Sequence, residues 1–315
     1  GASGGTVGAA YYRSLLLENA ETKRVNFNDK KYFEEISQDL LNKLSFAAST
    51  NDLFFRYQSG FEDSEYSYDR AMAFESDLNE NTGQRLNKPL RYYRSFEKQG
   101  VIPNLILTPS VVNDARRIMI SSLGLSFLMD SASPAPETNH VQENIDIHLL
   151  LKKQHADKLR LSSALRMNAS FPYVLPMTSL PTIPEIQLMD AGARDNFGTK
   201  ITVQWLMKLE SWIKKNTSGV VILQIRDNKR IMYNEQTHSF GLFDKFTAPV
   251  SNVFSNFPRI QDYDQDELLS LLVKKYGVSL KTVSLNLREL QKDRISLSWH
   301  LTQHEKLKVL ADIKR

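Results

Sequence analysis

The chain has 315 residues, 40 basic and 36 acidic side chains, a net charge of +4 and no cysteine. With 41% hydrophobic and 10% aromatic residues it is too apolar to be disordered, and 13 glycines and 11 prolines are too few for a low-complexity polymer. The missing cysteines exclude disulfides, thiolate metal sites and cysteine nucleophiles, and the interspersed charges lack the basic stripe that a nucleic-acid partner needs. The length admits two domains, or one large α/β domain with an elaboration. No run of about 18 apolar residues is present, so no membrane-spanning helix is expected. No charged leader precedes an apolar stretch at the N-terminus, and the expected location is cytoplasmic, with peripheral contact to an anionic membrane surface admitted by the mild positive charge.

The first element is a motif. Gly1-Ala2-Ser3-Gly4-Gly5 fits the nucleophile-elbow pattern Gly-x-Ser-x-Gly, and four of the 13 glycines fall within the first eight positions. In such an elbow the serine sits at a sharp strand-to-helix turn, where small neighbours let the backbone fold tightly and lift the hydroxyl clear. Val7, Tyr11 and Leu15 recur at helical spacing directly afterwards. A helix starting there places Ser3 at the positive end of the dipole, with the Gly4 N–H as an oxyanion donor.

Further along, Asn26 to Ala47 reads as one amphipathic helix capped by Asn28 or Asp29, with Tyr32, Ile36, Leu40 and Leu44 in a stripe. Ser59 to Gly83 is polar with interleaved aromatics (Phe61, Tyr66, Tyr68, Phe74) and reads as an irregular excursion. Leu123 to Met129 is the candidate for an apolar lid or membrane contact, or for a buried strand end.

A second motif lies at 161–198. Ser162 to Met167 reads as the last turns of a helix, Asn168 to Pro184 is broken by four prolines, and Ile186 to Met189 reads as a strand ending at Asp190. Asp190 precedes the small-residue turn Ala191-Gly192, which is where open α/β sheets present ligand-facing groups. A turn-forming aspartate bonded to its own backbone is the alternative reading of the segment taken alone.

Together the two motifs resemble the patatin-like family of serine lipid acyl hydrolases, which pairs a Gly-x-Ser-x-Gly elbow with a downstream Asp-Gly/Ala-Gly; Ser3 and Asp190 occupy those positions. Ser163-Ala164-Leu165 to Asn168-Ala169-Ser170-Phe171-Pro172 looks like the family's Ala-Ser-x-Ala-x-Pro-type segment, and Pro103 to Thr108 with Arg116-Arg117 looks like its preceding pair of strands. The resemblance implies an α/β fold with a mostly parallel central sheet between helix layers, a patatin-like αβα sandwich. It implies a core at 1–230 and a C-terminal extension at 231–315 packed on that core. It further implies a catalytic dyad in which Asp190 takes the Ser3 proton and returns it to the leaving alcohol, a lipid or other acyl ester as substrate, and no metal or organic cofactor. Gly1, Gly4 and Gly5 would form the elbow and oxyanion turn, and Ala191 and Gly192 the turn after the aspartate. The family also carries a Gly-rich oxyanion loop upstream of the elbow, so the chain reads as the C-terminal part of a longer polypeptide whose first strands and oxyanion loop precede Gly1.

Beyond that motif, Thr199 to Ser218 reads as a helix and Val220 to Ile225 as a buried parallel strand. Leu268 to Lys292 has a helix-turn-helix outline, but between Asp264 and Arg294 six basic and five acidic residues nearly balance, and Val283, Leu285 and Leu287 alternate at period two, which favours a strand. Trp299 to Ile313 reads as a final helix, with His300 and His304 one turn apart on a solvated face. Two further function classes therefore stand beside the hydrolase: a catalytically silent patatin-fold scaffold that binds lipid or protein, and a DNA-binding regulator.

Overall fold

A computed structural model describes residues 1–47, 70–129, 142–170, 175–226, 261–276, 280–286 and 299–313. By its contacts the chain divides into two compact units, Gly1–Arg194 with Ser298–Leu301, and Asp195–Leu297 with Thr302–Arg315. The expected division at residue 230 falls inside the second unit.

In the first unit, helix α1 (Ser3–Thr22) begins at the elbow and ends on Lys23, whose left-handed backbone (φ 58°) returns its N–H to Asn19 O. The expected Val7, Tyr11 and Leu15 stripe is buried, Val7 in the main core and the other two against Tyr32. The single helix expected over 26–47 is two. Helix α2 (Lys30–Ile36) is capped by the Asp29 carboxylate, and α3 (Asn42–Ala47) starts after Asp39 Oδ1 has accepted the Leu41 N–H at 2.7 Å. That local side-chain bond gives the backbone an alternative to continuing the helix.

Helix α4 (Arg70–Asn81) replaces the irregular course expected there and buries Phe74; Phe61, Tyr66 and Tyr68 lie outside the described residues. Helix α5 (Leu90–Lys98) leads into strands β1 (Ser110–Val111), β2 (Arg117–Met119) and β3 (Asn144–Asp146). Between β2 and β3, the apolar run at 123–129 forms a short 3₁₀ turn that buries Leu125 and Leu128 and exposes Phe127. A one-turn helix α6 (Ile147–Leu150), α7 (Leu161–Asn168), and strands β4 (Thr178–Leu180) and β5 (Ile186–Met189) follow. Ser162 to Met167 thus make up most of α7 rather than its last turns, and Phe171-Pro172 fall outside the described residues.

The five strands form one sheet in the order β3-β2-β1-β5-β4. Mixed helix and strand content agrees with an α/β class, but the sheet is mostly antiparallel: only β2 and β3 pair parallel. The expected mostly parallel sheet is therefore corrected. Short connections, 112–116 between β1 and β2 and 181–185 between β4 and β5, can only join antiparallel neighbours, because a parallel pair needs a long crossover. The one parallel pair has such a crossover at 120–143. The core packs Val7, Ala10 and Leu17 of α1 with Phe74 and Leu78 of α4, Ala164 and Leu165 of α7, and Ile118 and Leu188 of the sheet. Helix α7 contacts α1, α4 and β5, so a single element braces both parts of the predicted site.

The second unit opens at the end of the single turn α8 (Gly192–Asp195) and contains α9 (Thr199–Lys208), α10 (Glu210–Asn216), β6 (Val220–Arg226), a helix over 261–276 (α11), β7 (Leu280–Asn286) and α12 (Gln303–Ile313). Its core joins Val203, Leu206, Ile213, Leu272 and Leu280. Strand β6 pairs parallel with β7 as a two-stranded sheet, with Val221, Leu223 and Ile225 exposed. The expectation of a buried strand fails there because only one of its faces is covered. The helix-turn-helix outline is also overturned, since the element after α11 is a strand. Among the described residues no helix is long and apolar enough to cross a membrane.

Candidate active site

Ser3 opens α1 and Asp190 follows β5, 187 residues later. The structure brings them together: Ser3 Oγ donates a hydrogen bond to Asp190 Oδ2. Ser3 also has φ 48°, in the left-handed region that residues other than glycine seldom occupy. That conformation costs roughly 1–3 kcal/mol and persists only where the surroundings impose it. Ala2 before it is extended (φ −126°, ψ 167°), so the chain turns from extended to helical across one strained serine, as an elbow requires.

The first regular helical bond runs from Thr6 N to Ala2 O. The N–H groups of Gly4 and Gly5 therefore lie in the first turn, where no intrahelical acceptor exists. Both glycines are exposed, at the positive end of α1. Crowding does not account for all of the elbow glycines. A β-carbon at Gly1 would stand 3.4 Å from Thr6 Oγ1, whereas one at Gly5 or Gly8 would meet nothing within 4 Å.

Asp190 is 5% exposed. Its second oxygen, Oδ1, accepts the Gly192 N–H at 2.6 Å, its own N–H donates to Ser170 O at 2.8 Å, and the Ala191 N–H reaches Asn168 O at 3.3 Å. Ala191 and Gly192 thus hold the carboxylate in the expected turn, and the local turn bond to Gly192 coexists with the bond from Ser3. Burial raises the carboxyl above its ordinary range, while the hydrogen bonds from Ser3 and Gly192 oppose that shift.

Asn168 is a site residue that neither motif singles out. Fully buried, it accepts the Thr108 N–H on Oδ1 at 2.9 Å and donates from Nδ2 to Gly1 O at 3.1 Å and Thr6 Oγ1 at 3.3 Å. One amide ties α7 to the elbow and to the segment entering β1. A signal is present in the sequence: Leu161, Ala164, Leu165 and Asn168 fall at i, i+3, i+4 and i+7, which places a polar side chain inside the apolar stripe of α7.

Of the six histidines, His140 and His238 lie outside the described residues. His148 Nε2 lies 2.8 Å from Ser121 O, and His300 Nδ1 lies 3.4 Å from Asp39 Oδ1. Among the described residues, no group of three or more His, Asp or Glu side chains is placed to hold a metal ion. A scan against protein-family models, a search of the curated proteins and a search of the solved structures each return no match.

Proposed function

We propose that this chain carries the catalytic residues of a serine-dependent ester hydrolase of the patatin-like type, with Ser3 as nucleophile and Asp190 as its base, acting on lipid or other acyl esters at a membrane surface. The observation that supports it most is the hydrogen bond from a strained, helix-opening serine to a buried carboxylate far away in the chain. Serine is a weak nucleophile at its own pKa and needs an adjacent base, and Asp190 is within reach of its proton. In the proposed cycle Oγ attacks the ester carbonyl as its proton passes to Asp190. The tetrahedral oxyanion is held by the Gly4 N–H and the α1 dipole, and Asp190 then returns the proton to the leaving alcohol. Water next attacks the acyl-enzyme with Asp190 again as base, and Ser3 is regenerated. The raised pKa makes this carboxylate a stronger base than an ordinary aspartate.

The test is turnover of p-nitrophenyl esters and phospholipids by the full protein, with fluorophosphonate labelling at Ser3. Unchanged turnover in Ser3→Ala or Asp190→Asn ends this reading. A protein that folds normally yet neither turns over nor labels would instead be the silent scaffold.

A further inference from the structure

Trp299 belongs to the first unit, although the helix α12 that follows is grouped with the second. Its carbonyl accepts the Leu40 N–H at 3.1 Å, and its ring meets Phe74 edge-on, with centroids 5.1 Å apart and planes at 72°. Phe74 is fully buried, so the indole is held against a fixed partner. The far edge of that indole faces the elbow. A β-carbon at Gly4 would lie 3.7 Å from Trp299 Cζ3 and 3.9 Å from Cη2, in ordinary van der Waals contact. At Gly5 and Gly8 the corresponding space is open. The first turn of α1 is therefore flanked by an aromatic edge at Gly4 and unobstructed at the next glycines.

We propose that Trp299 is a wall of the acyl pocket: its ring edge borders the oxyanion position beside Gly4 and selects unbranched acyl groups over those branched next to the carbonyl. The inference rests on Ser3 being the nucleophile. An acyl carbonyl on Ser3 Oγ directs its oxygen towards the Gly4 N–H, so the atoms attached to that carbonyl lie within a residue's width of the indole. A large aromatic has only two side-chain torsions to fix, and here Phe74 and the bond from Leu40 limit its movement. An extra methyl on the acyl α-carbon would have to displace a ring that is packed from behind. Pocket contacts of this kind change relative rates by about 10- to 200-fold per methylene-sized group.

The experiment compares kcat/KM for p-nitrophenyl butyrate and p-nitrophenyl isobutyrate in the full protein, with fluorophosphonate labelling of Ser3 measured in parallel. Trp299→Ala is expected to raise the isobutyrate-to-butyrate ratio by about tenfold, and Trp299→Phe, which keeps a ring against Phe74, by a smaller factor. Gly4→Ala puts a methyl into the same space and should lower the ratio. These opposite signs separate a wall from general loosening, and Trp299→Phe and Gly4→Ala carry the test if Trp299→Ala does not fold. Ratios within twofold of wild type in variants whose Ser3 still labels would overturn the wall and leave the nucleophile standing. Absence of Ser3 labelling in the wild-type protein would remove the nucleophile, and the wall with it.

Discussion

Strand β2 buries Arg117, Ile118 and Met119 alike, whereas β6 leaves Val221, Leu223 and Ile225 in solvent. The first unit takes an arginine into its sheet, along with Asn144 and Asp146 of β3, while the second exposes three aliphatic side chains. What decides burial is which faces of a strand are covered: the edge strand β3 is buried at every residue, whereas β6 buries Gln224 and Arg226 on one face and leaves the other in solvent. β2 lies between two strands of a five-stranded sheet, and β6 has one partner, β7. Both sheets take polar side chains out of water, Gln224 and Arg226 of β6 among them, but only the first is followed at the end of β5 by Asp190, whose carboxyl burial pushes up by disfavouring its charged form. The contrast is thus between the buried Asp190 beside Ser3 in the first unit and the exposed β6 face in the second.

The strongest way to break that contrast is at the proposed nucleophile. Ser3→Ala should reduce kcat by about 10⁶-fold, as removal of a catalytic serine does elsewhere, with little change in melting temperature. Ile118, 0% exposed in β2, is the scaffold counterpart: Ile118→Ala should lower stability by about 2–5 kcal/mol in denaturant titration. Asn168→Ala combines both effects. Stranding the buried Thr108 N–H should cost about 1–3 kcal/mol, and a misplaced elbow about 10²-fold in kcat. An Asn168→Ala protein with wild-type kinetics would remove the amide from the site.

Asp190 sharpens the comparison through pH. Its folded pKa is raised, so the native state binds this proton more tightly than the unfolded chain does. That contribution to stability is complete below the ordinary carboxylate value of about 4 and is lost as pH rises through the raised value. Asp190→Asn should therefore melt higher than wild type at pH 8 while being inactive, and wild-type kcat/KM should fall on acidification with a midpoint above about 4. A midpoint at or below the ordinary value would contradict Asp190 as the base. The smallest effect belongs to the second unit: Ile225, 74% exposed, should tolerate Ser within about 0.5 kcal/mol.

Elements of strong local pattern are legible in the residue order alone. The α1 stripe, the strand at 186–189 with its Asp-Ala-Gly turn and the period-two strand at 280–286 occur where residue spacing puts them, while the single helix expected over 199–218 forms as two, α9 and α10. Departures occur where a local rule meets a competing one. Asp39 breaks the helix expected over 26–47 by accepting the Leu41 N–H on its side chain, and the segment from Arg70 becomes helical despite its polar composition because Phe74 and Leu78 pack into the core.

By itself the sequence determined the elbow glycines around Ser3, the acid at the end of β5 and the small residues after it, because turn chemistry and side-chain periodicity act within a few positions of the chain. Only the tertiary structure decided that Ser3 and Asp190 meet across 187 positions, that the sheet is mostly antiparallel, and that Asn168 and Trp299 flank the elbow. Those outcomes depend on which surfaces are buried together, a property of the packed core that no window of neighbouring residues contains.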